Sequence, residues 1–357
     1  MRFIRSLPLV LAATLAAAPL AIAPAEAAPK KDFKVAWSIY VGWMPWGWAA
    51  DHGVVKKWAD KYGISIEVTQ FNDYIESVNQ YTAADFDAVT VTNMDALSIP
   101  SAGGVDTTAV IVGDYSNGND MVIAKNAADV AALKGEKINL VELSVSHYLL
   151  ARALESAGLA EKDVTVVNTS DADMVAAAAT ADVTTVVTWN PLASEILAAG
   201  NGKAIFDSSK IPGEIMDLMV AKTDVLADNP EFGKALAGIW YDTMAVMTAD
   251  TPEGAAARAA MGAASGTDQA GFEAQLAATK LFPTPAEAVG FATSPELKAK
   301  MDAVRQFLFA KGLLGSGAPS ADVIGIALGD GEVLGDAGNV KLRFDPTFMK
   351  AAADGAL

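Results

Sequence analysis

Four of the seven tryptophans fall within twelve residues, Trp37, Trp43, Trp46 and Trp48, with Tyr40 among them. Gly42, Pro45 and Gly47 interrupt the run, which suits a loop better than the apolar stripe of a buried helix. Indole rings gathered on a loop can line a cleft and stack on a flat solute, most favourably a cation. Acidic residues close several β-branched or aromatic segments: Asp73, Asp95, Asp114 and Glu142, with Asp217 opening a later one. Carboxylates are the natural partners of a planar cation, and no Lys or Arg stands in the same loops. An anion placed there would meet like charge, at a cost on the order of several kcal/mol.

The elements that must present these groups follow from pattern. Val35 and Trp37 end a short strand, and a helix covers Trp48 to Tyr62. Strands follow at Ile64 to Phe71, Ala88 to Thr92 and Thr107 to Val112, with helices opening at Ile75 and after Asp95. Strand, loop and helix repeated in this way predict a parallel sheet, with the strand ends along one rim. Tyr115 to Asn119 is the first turn-rich break. A second αβ set runs from about Asn119 to Pro212, with Ser144 opening the helix His147 to Ala157 and Trp189-Asn190-Pro191 ending a strand. Asp217 to Ala221 returns as a strand to the first set, and the remainder reads as largely helical. Two α/β lobes are therefore expected: residues 28–118 with 213–357 form a discontinuous first lobe, and 119–212 an inserted second one. Two strands cross between them, a hinge whose cleft is the default ligand site.

Composition narrows the classes. Arg2 and Arg5, the apolar run Leu7 to Ala23 and Ala25-Glu26-Ala27 form a secretory signal, residues 1–27, cleaved after Ala27 or Ala28. No other run is long enough to span a bilayer. There is no cysteine, which removes disulfides, thiol catalysis and a lipid-attachment site. The formal charge is -17, and loss of Arg2, Arg5 and Glu26 leaves about -18 on the mature chain, a surface that repels nucleic acid. His52 and His147 stand far apart without metal-ligand spacing. A free periplasmic protein, monomeric, with no cofactor and no metal, is the expectation.

The aromatic loop runs into Ala49-Ala50-Asp51-His52-Gly53. Further on stand Ser144-Val145-Ser146-His147-Tyr148-Leu149-Leu150-Ala151-Arg152-Ala153-Leu154 and Val186-Val187-Thr188-Trp189-Asn190-Pro191. Last come Val220-Ala221-Lys222-Thr223-Asp224 and Asn229-Pro230. In this order the segments resemble the periplasmic solute-binding proteins of nitrate/sulfonate/taurine type that feed ABC importers, over nearly the whole mature chain. The resemblance implies a two-lobe periplasmic-binding-protein fold, type II-like, and an ABC transporter permease as partner. More narrowly, Trp37 to Trp48 with Thr92-Asn93-Met94-Asp95 resembles the branch linked to urea carboxylase systems. That branch was first labelled as urea transport, and its associated enzymes are now understood to act on guanidine. It implies guanidinium or urea as the small-molecule ligand.

Guanidinium fits the inventory, being planar, weakly hydrated and forked toward a carboxylate. The candidate ligand-binding residues are Trp37, Trp43, Trp46, Asp73, Asp95, Glu142, Ser144, Trp189 and Asp217. Each has a structural alternative: Trp37 could pack under the loop, and Asp73, Asp95 or Ser144 could cap the helices that follow them. Asp114 and Asp217 could be hinge residues, Arg152 surface or packing, and His147 a helix-start residue. The competing readings are a urea receptor and a nitrate/sulfonate binder, or, from another class, a pyrimidine-synthesis-like enzyme on the same fold. The enzyme lacks a nucleophile–base arrangement. A chemoreceptor partner role is not separable by sequence.

Overall fold

The computed structural model describes residues 30–357, so the signal segment proposed above lies outside the described residues. The chain opens with four strands: β1 (Asp32–Ser38), β2 (Ser65–Phe71), β3 (Ala88–Thr92) and β4 (Thr107–Ser116). Five more follow, β5 (Met121–Ala124), β6 (Lys137–Leu140), β7 (Thr165–Asn168), β8 (Thr185–Thr188) and β9 (Lys203–Asp207). Then come β10 (Met216–Lys222), β11 (Thr279–Leu281), β12 (Gly325–Ala327), β13 (Val333–Leu334) and β14 (Val340–Phe344). These build two sheets separated in sequence as well as in pairing. One holds nine strands in the order β13-β12-β14-β4-β10-β3-β1-β2, with β11 on β4; the other is β7-β6-β8-β5-β9. The chain passes between them twice, before Met121 and after Asp207.

Central strands of the large sheet are buried on both faces, every residue of β3 among them, as strands covered by helices must be. β1 pairs in parallel with β2 and β3, whereas β10 runs antiparallel to both β3 and β4. The returning strand is thus threaded into the middle of the sheet.

Two local features differ from the sequence expectation. The helix read across Trp48 to Tyr62 is two helices, Met44–Asp51 and Val54–Tyr62. Gly53 separates them at φ +77°, a left-handed conformation that costs glycine little. Pro45 sits in the first turn of the earlier helix, where its missing N–H costs nothing, so Trp46 and Trp48 are helical rather than loop residues. The second difference is β9 and β11 to β14, which the sequence left unassigned. Strands of two to five residues give too few alternations to betray a period of two. Among the described residues no helix is long and apolar enough to cross a membrane.

Candidate ligand-binding site

Between the two sheets lies a cavity of about 270 Å³, lined by Tyr40, Trp43, Tyr74, Thr92, Asp120, Val145, Trp189, Ile215 and Asp217. The large sheet supplies its floor through register. Thr92 on β3 stands opposite Asp217 on β10, and Asp217 stands opposite Asp114 on β4. Like charges directly opposed across strands destabilise a sheet, so the Asp114–Asp217 pair breaks a packing rule at the centre of the fold. Tyr40 donates its hydroxyl to Asp114 Oδ1 at 3.3 Å. The loop carrying Tyr40 and Trp43 approaches so closely that a Cβ on Gly42 would lie 2.6 Å from Asp114 Oδ2, which is why glycine stands there.

Asp95 and Tyr74 form the second half of the floor. Tyr74 donates its hydroxyl to Asp95 Oδ2 at 2.7 Å and accepts from the Thr92 amide at 3.1 Å. Thr92 Oγ1 adds a 3.0 Å bond to the same carboxylate oxygen. These bonds fix the Tyr74 ring, which leans on Trp43 at 5.5 Å and meets Trp189 edge-on at 5.8 Å. Trp189 ends β8, and Val145 opens the helix Val145–Ser156, so the second sheet contributes the opposite wall. Asp120 comes from the segment that crosses between the sheets. Its amide donates to Ser116 Oγ at 3.2 Å and its carbonyl accepts from the Ser208 amide at 2.9 Å.

The electrostatics are one-sided. Asp95, Asp114, Asp120 and Asp217 are each at most 4% exposed, and none owes any part of its environment to a lysine, arginine or histidine. Burial raises the carboxyl of Asp95 to about 6 and those of Asp114 and Asp120 to about 7. Asp217 is pushed well above the usual range by burial and then by Asp114. Asp114 and Asp217 bond each other through a shared proton, and the Val145 amide reaches the Asp95 carboxyl. Beyond these, Oδ1 of Asp95 and Oδ2 of Asp114 and Asp217 have no hydrogen-bond partner within the protein. Acids left this way are stabilised only by protons or by a cation brought from outside.

The sequence candidates divide. Trp43, Trp189 and Asp217 line the cavity, and Asp95 stands behind Tyr74 and Thr92. The others lie elsewhere. Trp37 packs under the first helix, where a Cβ on Gly47 would come 2.5 Å from its ring, and Trp46 stacks on Trp240 at 5.8 Å. Asp73 caps the helix Tyr74–Thr82 through the Glu76 amide. Glu142 is exposed, because its loop turns toward solvent. Ser144 spends its hydroxyl on Val141 O and the Ser146 amide as a helix cap. Tyr40, Tyr74, Thr92, Asp114 and Asp120 were not among the candidates. Asp120 had a usable signal, since it directly follows the first turn-rich break, where a hinge-facing side chain is expected. Among the described residues no group of three or more His, Asp or Glu could hold a metal ion.

The sequence signature of the NMT1-like family covers residues 34–264. The chain belongs to that family. A putative binding protein of Brucella abortus (strain 2308) is 26% identical over 184 residues, 50% of this chain and 56% of the relative. The chain therefore spans about half the length of the curated relatives it matches. Among solved structures, the alkanesulfonate-binding protein SsuA of Xanthomonas axonopodis pv. citri, bound to MOPS, superposes with a TM-score of 0.66. It is 18% identical, over 83% of this chain and 99% of that one. The periplasmic aliphatic sulphonate binding protein SsuA of Escherichia coli gives 0.63 at 19% identity, over 80% of this chain and 94% of its own. At such identities the likeness speaks to the fold, and this family member has the mixed α/β, two-sheet fold of periplasmic binding proteins.

Proposed function

We propose that this protein is the exported, solute-binding component of an ABC importer and that its solute is a small flat cation, guanidinium in the first instance. The observation that carries this is the set of four buried aspartates around an aromatic cavity, with no cationic side chain beside any of them. The cavity is small, about 270 Å³ even when the space open to solvent is counted, which favours a very small solute. A ring face contributes about 0.5–2 kcal/mol to a cation, and a charged hydrogen bond about 1.5–3 kcal/mol. Two rings and two carboxylates therefore sum to about 4–10 kcal/mol, a range that includes the ~8 kcal/mol of a micromolar complex if the site is preorganised. The two superposed SsuA proteins are named for sulfonates, but a sulfonate here would face carboxylates. The fold is shared and the charge of the site argues for a different cargo.

Calorimetry with guanidinium, urea, nitrate and taurine on the purified protein tests the reading. Guanidinium alone is expected to bind near micromolar, with a change in indole fluorescence from Trp43 and Trp189. Binding of nitrate or taurine without guanidinium overturns it. One observation favours urea as a second reading: carboxyls raised to about 7 keep protons near neutrality and can donate to a carbonyl oxygen. The two separate by pH, because guanidinium binds more tightly as pH rises and urea less tightly.

A further inference from the structure

Behind the solute cavity lies a second chamber of about 190 Å³, bounded chiefly by Trp43, Trp46, Asp114, Asp217, Met219 and Trp240. It shares Trp43 and Asp217 with the cavity in front. Gly113 also borders it, and a Cβ there would lie 2.8 Å from Trp240 Cζ2, so only glycine lets the indole in this far. Nε1 of Trp43 and Trp240 have no partner within the protein, and Oδ2 of Asp114 and Asp217 have none beyond the bond the two acids make with each other. All four residues are at most 5% exposed. Buried polar atoms are rarely left so, and four around one chamber indicate an occupant.

The chemistry of that occupant is constrained. Indole N–H groups only donate, and a pair of carboxyls sharing one proton still offers acceptor oxygens. An ammonium would leave the indoles unpaired, and an anion would leave the carboxylates unpaired. A hydroxyl or a neutral amino group does both. We propose that the chamber is an inner subsite of the solute site, taking one small group that both donates and accepts. With guanidinium itself the occupant is a water molecule; with a substituted guanidine it is a terminal amino or hydroxyl group reaching past Trp43. This inference deepens the guanidinium reading above and rests on it for the choice of solute.

The test compares aminoguanidinium with methylguanidinium by calorimetry, on the wild-type protein and on Trp240→Phe, which keeps an aromatic ring and removes one N–H. The wild type is expected to prefer aminoguanidinium by at least about tenfold, as sites with buried polar groups reject analogues that leave them unpaired. Trp240→Phe is expected to shrink that ratio severalfold. Equal affinities for the two in the wild type overturn the proposal. Should Trp240→Phe fail to fold, a crystal structure of the wild type with aminoguanidinium reads the subsite directly. An amino group or water within hydrogen-bonding distance of Trp240 Nε1 supports it, and a chamber without ordered density overturns it. If no guanidine binds, yet solute-free crystals hold a molecule bridging Trp240 and Asp114, the cargo reading falls and the subsite stands.

Discussion

The acids inside the cleft and the acids at its rim have opposite fates. At the rim, Glu214 takes Tyr148 Oη at 2.6 Å and Arg152 Nε at 2.9 Å, and Glu161 pairs with Lys311. Asp73 accepts from Ser170 Oγ at 2.8 Å, and Asp171 faces the Tyr74 amide at 3.3 Å. Each of these contacts joins a residue near one sheet to a residue near the other, and each acid has its donor. Inside, Asp95, Asp114, Asp120 and Asp217 have hydroxyls, one backbone amide and one another, and no cationic donor. On the function proposed above, acidic residues serve closure where the protein supplies a donor, and recognition where it withholds one.

Asp217→Asn should break the interior side of the contrast most severely. Guanidinium affinity is expected to fall at least about 30-fold, the lower end of the 2–5 kcal/mol lost when one partner of a buried charged pair is truncated. The same change should raise the melting temperature of the solute-free protein at alkaline pH, where Asp217 would otherwise ionise beside Asp114. A fall in both quantities would make Asp217 a folding residue instead.

The interior acids also set a pH signature. Free aspartates titrate near 3.9 in an unfolded chain, whereas the folded protein holds protons on Asp95 to about 6 and on Asp114 and Asp120 to about 7. Between those values the folded state binds more protons, so these groups make solute-free stability decline as pH rises from about 4 to 7. A bound cation displaces the protons, so its affinity should weaken on acidification from pH 8 to 5, by about tenfold per unit for each proton released. Melting curves and calorimetry across that range check both signs, and a pH-independent affinity would sink the interior assignment.

Smaller effects belong to the rim. Asp171→Asn with Ser170→Ala removes the contacts to Tyr74 and Asp73, and should weaken binding roughly three- to tenfold through faster release with capture little changed. Glu142→Gln, on an exposed loop, should alter neither rate. Stopped-flow indole fluorescence separates the two phases. A slower capture in the rim variant would mean that these contacts shape the solute-free protein rather than hold it shut.

Much of this was legible in the sequence. Periodicity and turn residues placed the strands from β1 to β10 except β9, and acidic strand ends beside tryptophans set up the expectation of a cleft that favours positive charge. What escaped depends on register and on capping. That Asp114 stands opposite Asp217 is a property of β10 threading between β3 and β4, which no local pattern encodes. Ser144 and Asp73 looked like ligand groups because a helix cap and a ligand contact require the same residue types. Among the clustered indoles, Trp43 reaches the cavity while Trp46 turns to Trp240, a choice made by one helical turn starting at Pro45.

Asp120 occupies the span by which the chain leaves one sheet for the other. Its charge acts on Asp114 and Asp217, and Asp95 acts on it, so on the proposed reading a captured cation would be felt at the crossing itself. Arrival of cargo and swinging of the halves would then be one event rather than two.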